Sequence, residues 1–205
     1  MGQLRALPRA FLFGASLLGH APAADLPGEE EPREPIADPS PQRFSVCLLH
    51  GCRRVAEMGL TGAQWGRIRG LFSPPARDAA QERERIARAI GVMETMVGKR
   101  LGTDRDRGGG WRGLFTTSPQ QDCIDESNNS TTYLRIMADA GVLRWHTIEA
   151  PVTRGHVIFG HPHTTAVVGD VATGEDYAVD SWFRDNGQPA VIVPLSAWRR
   201  GWRPQ

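Results

Sequence analysis

The sequence predicts an α+β domain in which helices pack on a mostly antiparallel sheet. Two observations predict it. Apolar residues recur at helical spacing through the first two thirds of the chain, whereas from residue 144 onward the period shortens to two, in runs rich in Val, Thr and aromatic residues. Turn residues such as Asn186-Gly187 then separate those runs, as they would separate strands joined by hairpins. The length, 205 residues, leaves room for one well-buried core with appendages and not for two full domains.

Residues 1–24 have the form of a secretory signal: Arg5 and Arg9, an apolar run over 10–19, and the small-residue pattern Ala21-Pro22-Ala23. An apolar run of about ten residues is too short to cross a ~30 Å hydrocarbon core as a helix, so no integral membrane anchor is expected. Residues 25–42 place Glu29, Glu30 and Glu31 among five prolines and cannot bury enough apolar surface to offset their ordering entropy. They are expected to be a disordered acidic tether, with residues 43–205 forming a single domain. The expected location is outside the cytoplasm, in a periplasm or the medium.

Within the domain, residues 44–60 read as an extended segment with a turn at Gly51. Thr61-Gly62-Ala63-Gln64 is a capping box that starts a helix over 62–72, which Pro74 and Pro75 end. A second helix over 76–97 aligns Ile86, Ile90, Met93 and Val97 on one face. Its charges, Glu82, Arg83, Glu84, Arg85 and Arg88, are expected to form a solvated face, with Gly98 as the stop signal and a long loop over 101–113 bordering a site. A third helix over 123–140 counts Ile124, Tyr133, Leu134, Ile136 and Met137 among its apolar positions and closes at Gly141. Strands are expected at 144–148, 156–159, 164–168, 176–183 and 190–193.

Charge and cysteine content narrow the chemistry. With 24 Lys+Arg against 23 Asp+Glu there is no basic field for a phosphate backbone, so nucleic acid is not an expected partner. Three cysteines leave one over when two pair. Cys47 and Cys52 flank a small loop that suits a disulfide, which makes Cys123 the free thiol. Its neighbours are polar on both sides, and the first turn of a helix favours a thiolate, although Asp122, Asp125 and Glu126 oppose it. Those acids read as ordinary N-terminal preference. His163 is the best candidate base, and Asp180 on the following strand the group to orient its ring. A hairpin centred between Thr173 and Gly174 pairs residue 163 with 184 and puts His163 and Asp180 on one face. It also leaves them four residues apart, ~13 Å along a flat strand, so contact requires a bulge or an asymmetric loop.

At these residues the sequence resembles the transglutaminase-like branch of the papain-type cysteine enzymes. Asp122-Cys123 before a helix, His163-Thr164-Thr165-Ala166-Val167-Val168, and Val179-Asp180-Ser181-Trp182-Phe183 are similar in order and spacing to that family. The resemblance covers residues 120–183, and a similar Cys-Ile-Asp and Val-Asp-Ser-Trp-Phe pattern occurs in a group of exported bacterial proteins with no established activity. It implies a helix-on-antiparallel-sheet core, Cys123 as nucleophile, His163 as general base and acid, and Asp180 as the orienting carboxylate. The backbone amide of Cys123 would contribute to an oxyanion site, with Gln120 and Gln121 as the nearest side-chain candidates.

Two function classes follow. One is a thiol-dependent enzyme, peptidase or transglutaminase-like, acting without a cofactor on a peptide or protein substrate, a cell-envelope component included. The other is a noncatalytic envelope-binding module on the same fold, with Trp111, Trp145, Trp182, Trp198 and Trp202 lining a groove. A metal site on His161 and His163 with His156 or Cys123 is a third, weaker reading, and no metal is expected. His50 and His146 read as surface or satisfied structural residues.

Overall fold

Six strands and four helices form among the residues that this computed structural model describes, 34–109, 120–155 and 162–205, all of which belong to one compact unit. The expectations for residues 1–33 and for a strand over 156–159 lie outside them. Strands β1 (Phe44–Leu48) and β2 (Arg54–Met58) make an antiparallel hairpin, followed by α1 (Gly62–Leu71) and α2 (Ala79–Leu101). Then come α3 (Cys123–Asp139), strands β3 (His146–Arg154), β4 (His163–Asp170), β5 (Asp176–Asp180) and β6 (Val191–Pro194), and a short α4 (Leu195–Arg199). The last four strands form one antiparallel sheet in the order β3-β4-β5-β6. The α+β expectation with an antiparallel sheet therefore holds; α4 had no counterpart in the sequence pattern.

Side-chain alternation along the sheet separates two cores. Ala166, Val168 and Val179 face α3 and join Phe44, Ile68, Ile90, Tyr133 and Met137 in the main cluster. Val167 and Ala178 face the other way, onto Leu195 and Trp198 of α4. Because both faces are covered, β4 is buried almost throughout, which explains its unbroken apolar run.

Helix α1 begins as expected, with Thr61 Oγ1 accepting from Gln64 N at 3.2 Å and Gln64 Oε1 from Thr61 N at 2.8 Å. Helix α2 runs beyond its expected stop. A Cβ on Gly98 would lie 2.9 Å from both Asn186 Oδ1 and the Asp104 amide, so this glycine serves close packing, and the left-handed cap is Gly102 at φ 84°. Glu82 departs from the expected solvated face. It lies one turn before Ile86 on the buried stripe and accepts from the amides of Arg144 at 2.8 Å and Trp145 at 2.9 Å, with His146 Nδ1 at 3.0 Å. Burial pushes the Glu82 pKa up, but those hydrogen bonds more than offset it and the net shift is downward. His146 is thus a satisfied structural residue, whereas His50 is buried with neither ring nitrogen partnered among the described residues. Ile124, counted among the apolar positions of the third helix, is exposed, unlike Tyr133, Leu134, Ile136 and Met137.

Residues 34–42, assigned to the tether, instead lie on the hairpin without helix or strand of their own. Ser45 Oγ accepts from Ile36 N at 2.9 Å, Leu60 N donates to Pro41 O at 2.7 Å, and Pro39 is buried. Backbone bonds that the composition does not advertise tie this stretch down.

Candidate active site

Helix α3 starts at Cys123 because Asp122 caps it: the Asp122 carboxylate accepts from Ile124 N at 3.0 Å and Asp125 N at 2.9 Å. Cys123 is thereby the first helical residue, with a backbone N–H that has no acceptor in the helix. Further along, polar side chains lock α3 to the hairpin. Asn129 accepts from Cys47 N at 2.7 Å and donates to Cys47 O at 3.0 Å, copying a strand's pairing, while Asp125 accepts from His50 N at 2.8 Å and Cys52 N at 2.7 Å. Burial and the Asp122 charge raise the Asp125 pKa against the pull of those amides. The segment so held is left-handed at four successive residues, Leu49, His50, Gly51 and Cys52, with φ of 65°, 60°, 69° and 56°. The Cys47–Cys52 disulfide closes it, and Cys123 is the free cysteine, as the spacing implied.

The sheet brings the imidazole and carboxylate together by register. Strands β4 and β5 pair as Ala166↔Val179 and Val168↔Tyr177, two residues tighter than expected. The shift of two keeps His163 and Asp180 on one face and reduces their offset from four residues to two, a diagonal separation of roughly 7–8 Å that long side chains cross. No bulge between β4 and β5 is needed. His163 Nε2 lies 2.7 Å from Asp180 Oδ2, with both side chains buried. Trp198 Nε1 donates to the same oxygen at 2.7 Å. Indole is a donor only, so Oδ2 acts as acceptor, and the imidazole gives it the Nε2 proton. That tautomer leaves the lone pair on Nδ1, which is buried and without a partner among the described residues. Trp182, Phe183 and Trp198 surround the ring, with centroids 4.6, 5.1 and 5.5 Å away.

Cys123 and His163 line one cavity of about 300 Å³. The Cys123 thiol meets the backbone on either side of His163, with Sγ 3.9 Å from Pro162 O and the Thr164 amide also reaching it. Burial raises the thiol pKa most, the charges of Asp122 and Asp180 add to it, and the amides of Thr164 and Cys123 only partly offset this. The two glutamines have other duties: Gln121 Nε2 donates to Cys47 O at 3.1 Å, and Gln120 bridges Arg107 N at 3.1 Å and Arg105 O at 3.2 Å. Neither glutamine is therefore free for the expected oxyanion role.

Three features were not foreseen from the sequence. Trp198 was expected as a groove residue, yet it is fully buried and holds Asp180. Arg154, directly opposite His163 in the β3–β4 pairing, lines the cavity. Beneath the site, Glu126 accepts from Ser181 Oγ, and the carboxyls of Glu94 and Asp106 lie against it. Burial is the chief cause that raises all three pKa values, Glu94 to about 7 and Asp106 to about 8. An acid one turn into a helix looks like a dipole preference in sequence, and only its partners from α2 and the following loop show otherwise. Among the described residues no group of three His, Cys, Asp or Glu could hold a metal; His156, His161 and Trp111 lie outside them. Protein-family models, curated proteins and solved structures yield no match to this chain.

Proposed function

We propose that the protein is an exported thiol enzyme with a transglutaminase-like core that cleaves or transfers acyl groups through Cys123, His163 and Asp180. The observation that carries this reading is the oriented base: His163 bonded through Nε2 to Asp180, its Nδ1 lone pair unpartnered, in a cavity it shares with the only free cysteine of the chain. As the sulfur attacks an amide or ester carbonyl, its proton passes to His163 Nδ1. The carbonyl oxygen takes the negative charge against the Cys123 amide. Collapse of the adduct expels the amine or alcohol, which receives the proton back from His163, and leaves a thioester. Water or a second amine then resolves the thioester with His163 again as base. A raised thiol pKa suits a sequence in which the proton moves as the bond forms.

A second depression of about 740 Å³ shares Phe183 and Pro204 with the first and offers room for an extended chain such as a peptide. The disulfide accords with an exported protein. Among the described residues no helix is long and apolar enough to cross a membrane.

The test is the alkylation rate of Cys123 from about pH 4 to 10, read by peptide mass in the wild type and in His163→Ala. The wild type should react measurably near neutrality and His163→Ala only above the ordinary thiol range. Equal rates in the two proteins, or a Cys123→Ser protein with full biological effect, would favour the noncatalytic binding module, for which Trp145, Trp182 and Trp202 are the partly exposed members of the expected tryptophan groove among the described residues.

A further inference from the structure

The active-site cavity holds positive charge that the acyl-transfer scheme does not use. Arg154 and Arg203 both line it alongside Cys123 and His163. How Arg154 gets there is specific to the fold. Strands β3 and β4 pair as His146↔Asp170 at one end and as Arg154↔His163 at the other, the register having shifted by one residue between Glu149 and Val152. Without that bulge Thr153 would oppose His163, and Arg154 would point to the opposite face. The extra residue therefore turns a guanidinium onto the face of the proposed base. Bulges commonly re-aim a side chain beside a site in this way.

Once there, the guanidinium is positioned without being neutralised. One of its nitrogens, Nη1, donates to Trp198 O and, at 3.0 Å, to Trp202 O, and the group lies 4.3 Å over the Trp198 ring. Carbonyls and a ring fix its direction, and Nε and Nη2 have no hydrogen-bond partner among the described residues. Neither Arg154 nor Arg203 has an ion-pair partner among the described residues, and the two arginines repel each other. Asp180 attracts Arg154 from a distance but is already bonded to His163 and Trp198. An oriented planar fork with free donors beside a second cation suits a carboxylate.

We propose that Arg154, assisted by Arg203, is a specificity site that binds a carboxylate of the substrate next to the bond Cys123 attacks. The substrate class is then an anionic peptide, its carboxylate being either the free C-terminus or an acidic side chain. This rests on the reading of Cys123 as the nucleophile, and the experiment separates the two.

The probe is the rate ratio of Cys123 alkylation by iodoacetate, an anion, to that by iodoacetamide, its neutral analogue, at low salt and relative to glutathione. The ratio in the wild type should exceed that of glutathione, fall about fivefold in Arg154→Gln and about twofold in Arg203→Gln, and shrink with added salt. A wild-type ratio equal to that of glutathione, or one that neither substitution changes, overturns the proposal. Arg203 is exposed and makes no hydrogen bond among the described residues, so Arg203→Gln decides the matter even if Arg154→Gln does not fold. Protection by N-acetyl-alanyl-alanine but not by its C-terminal amide identifies a C-terminal carboxylate, and protection by N-acetyl-glutamate α-amide identifies an acidic side chain. Equal protection by the uncharged amide overturns the proposal. His163→Ala leaves this ratio unchanged while removing reactivity near neutrality, so loss of the catalytic reading and loss of the anion site register separately.

Discussion

Asp180 Oδ2 receives two donors, His163 Nε2 and Trp198 Nε1, each at 2.7 Å, and this one atom sets the state of the site. Replacing Asp180 by Asn removes the negative charge and offers an amide that can stabilise the wrong imidazole tautomer, with the proton on Nδ1. On the proposed mechanism, acyl transfer in Asp180→Asn should fall by about 10²–10⁴ with little loss of stability, checked by turnover and thermal melting together. Trp198→Phe removes the indole N–H together with the five-membered ring of a fully buried side chain. It should cost about 2–3 kcal/mol, from one buried hydrogen bond and the cavity left behind, read as a lower melting temperature. An iodoacetate preference of Cys123 that survives this change would mean that the backbone carbonyls, not the ring, orient Arg154.

Among the elements, α3 matters most, because its first residue is the thiol and its next two turns anchor the hairpin. Asp125 takes two amides from the left-handed segment, at 2.8 and 2.7 Å, so Asp125→Ala leaves buried N–H groups unpaired in a turn that three non-glycine residues already strain. The expected cost is about 3 kcal/mol, read as a lower melting temperature. Reducing the Cys47–Cys52 disulfide should destabilise by a further ~2 kcal/mol through the small loop it closes. If Asp125→Ala melts like the wild type, the turn is held by the disulfide alone. On α2, Gly98→Ala forces a Cβ to within 2.9 Å of the Asp104 amide, and about 1–3 kcal/mol should be lost.

For the whole molecule, the buried carboxyls Glu94, Asp106 and Glu126 set the dependence of stability on pH. Their folded-state pKa values are raised, Glu94 to about 7 and Asp106 to about 8, so the folded protein keeps protons that the unfolded chain has released. The contribution of these three carboxyls is then fullest below the ordinary carboxyl range and declines as pH rises through it toward their raised values. Melting temperature should drop by on the order of 5 °C or more between pH 5 and pH 8, and Glu94→Gln should flatten the curve. A melting temperature that is constant or rises over that interval would show the cluster to be ionised in the folded state.

How much of this was legible in the sequence depends on the range over which each cause acts. The capping box at Thr61, the start of α3 at Asp122, the closing Gly141, the apolar face of α2 and the small Cys47–Cys52 loop all arise within a few residues, and all were readable. So was the alternation that puts His163 and Asp180 on one face, because parity survives any shift of two. The register itself was not, since turn geometry and packing fix it to the nearest pair and a bulge in β3 decides which face Arg154 takes. Glu82 reads as solvated charge until the amides of Arg144 and Trp145 and the His146 ring, all from a remote segment, surround it. Residue order alone specifies the three long helices, the alternation of the strands and the side chains able to do thiol chemistry, because short-range periodicity and local hydrogen bonding suffice for them. Which charges are buried, what holds Asp180 and which cation faces the thiol were decided by the folded chain, because those follow from contacts between segments far apart in it.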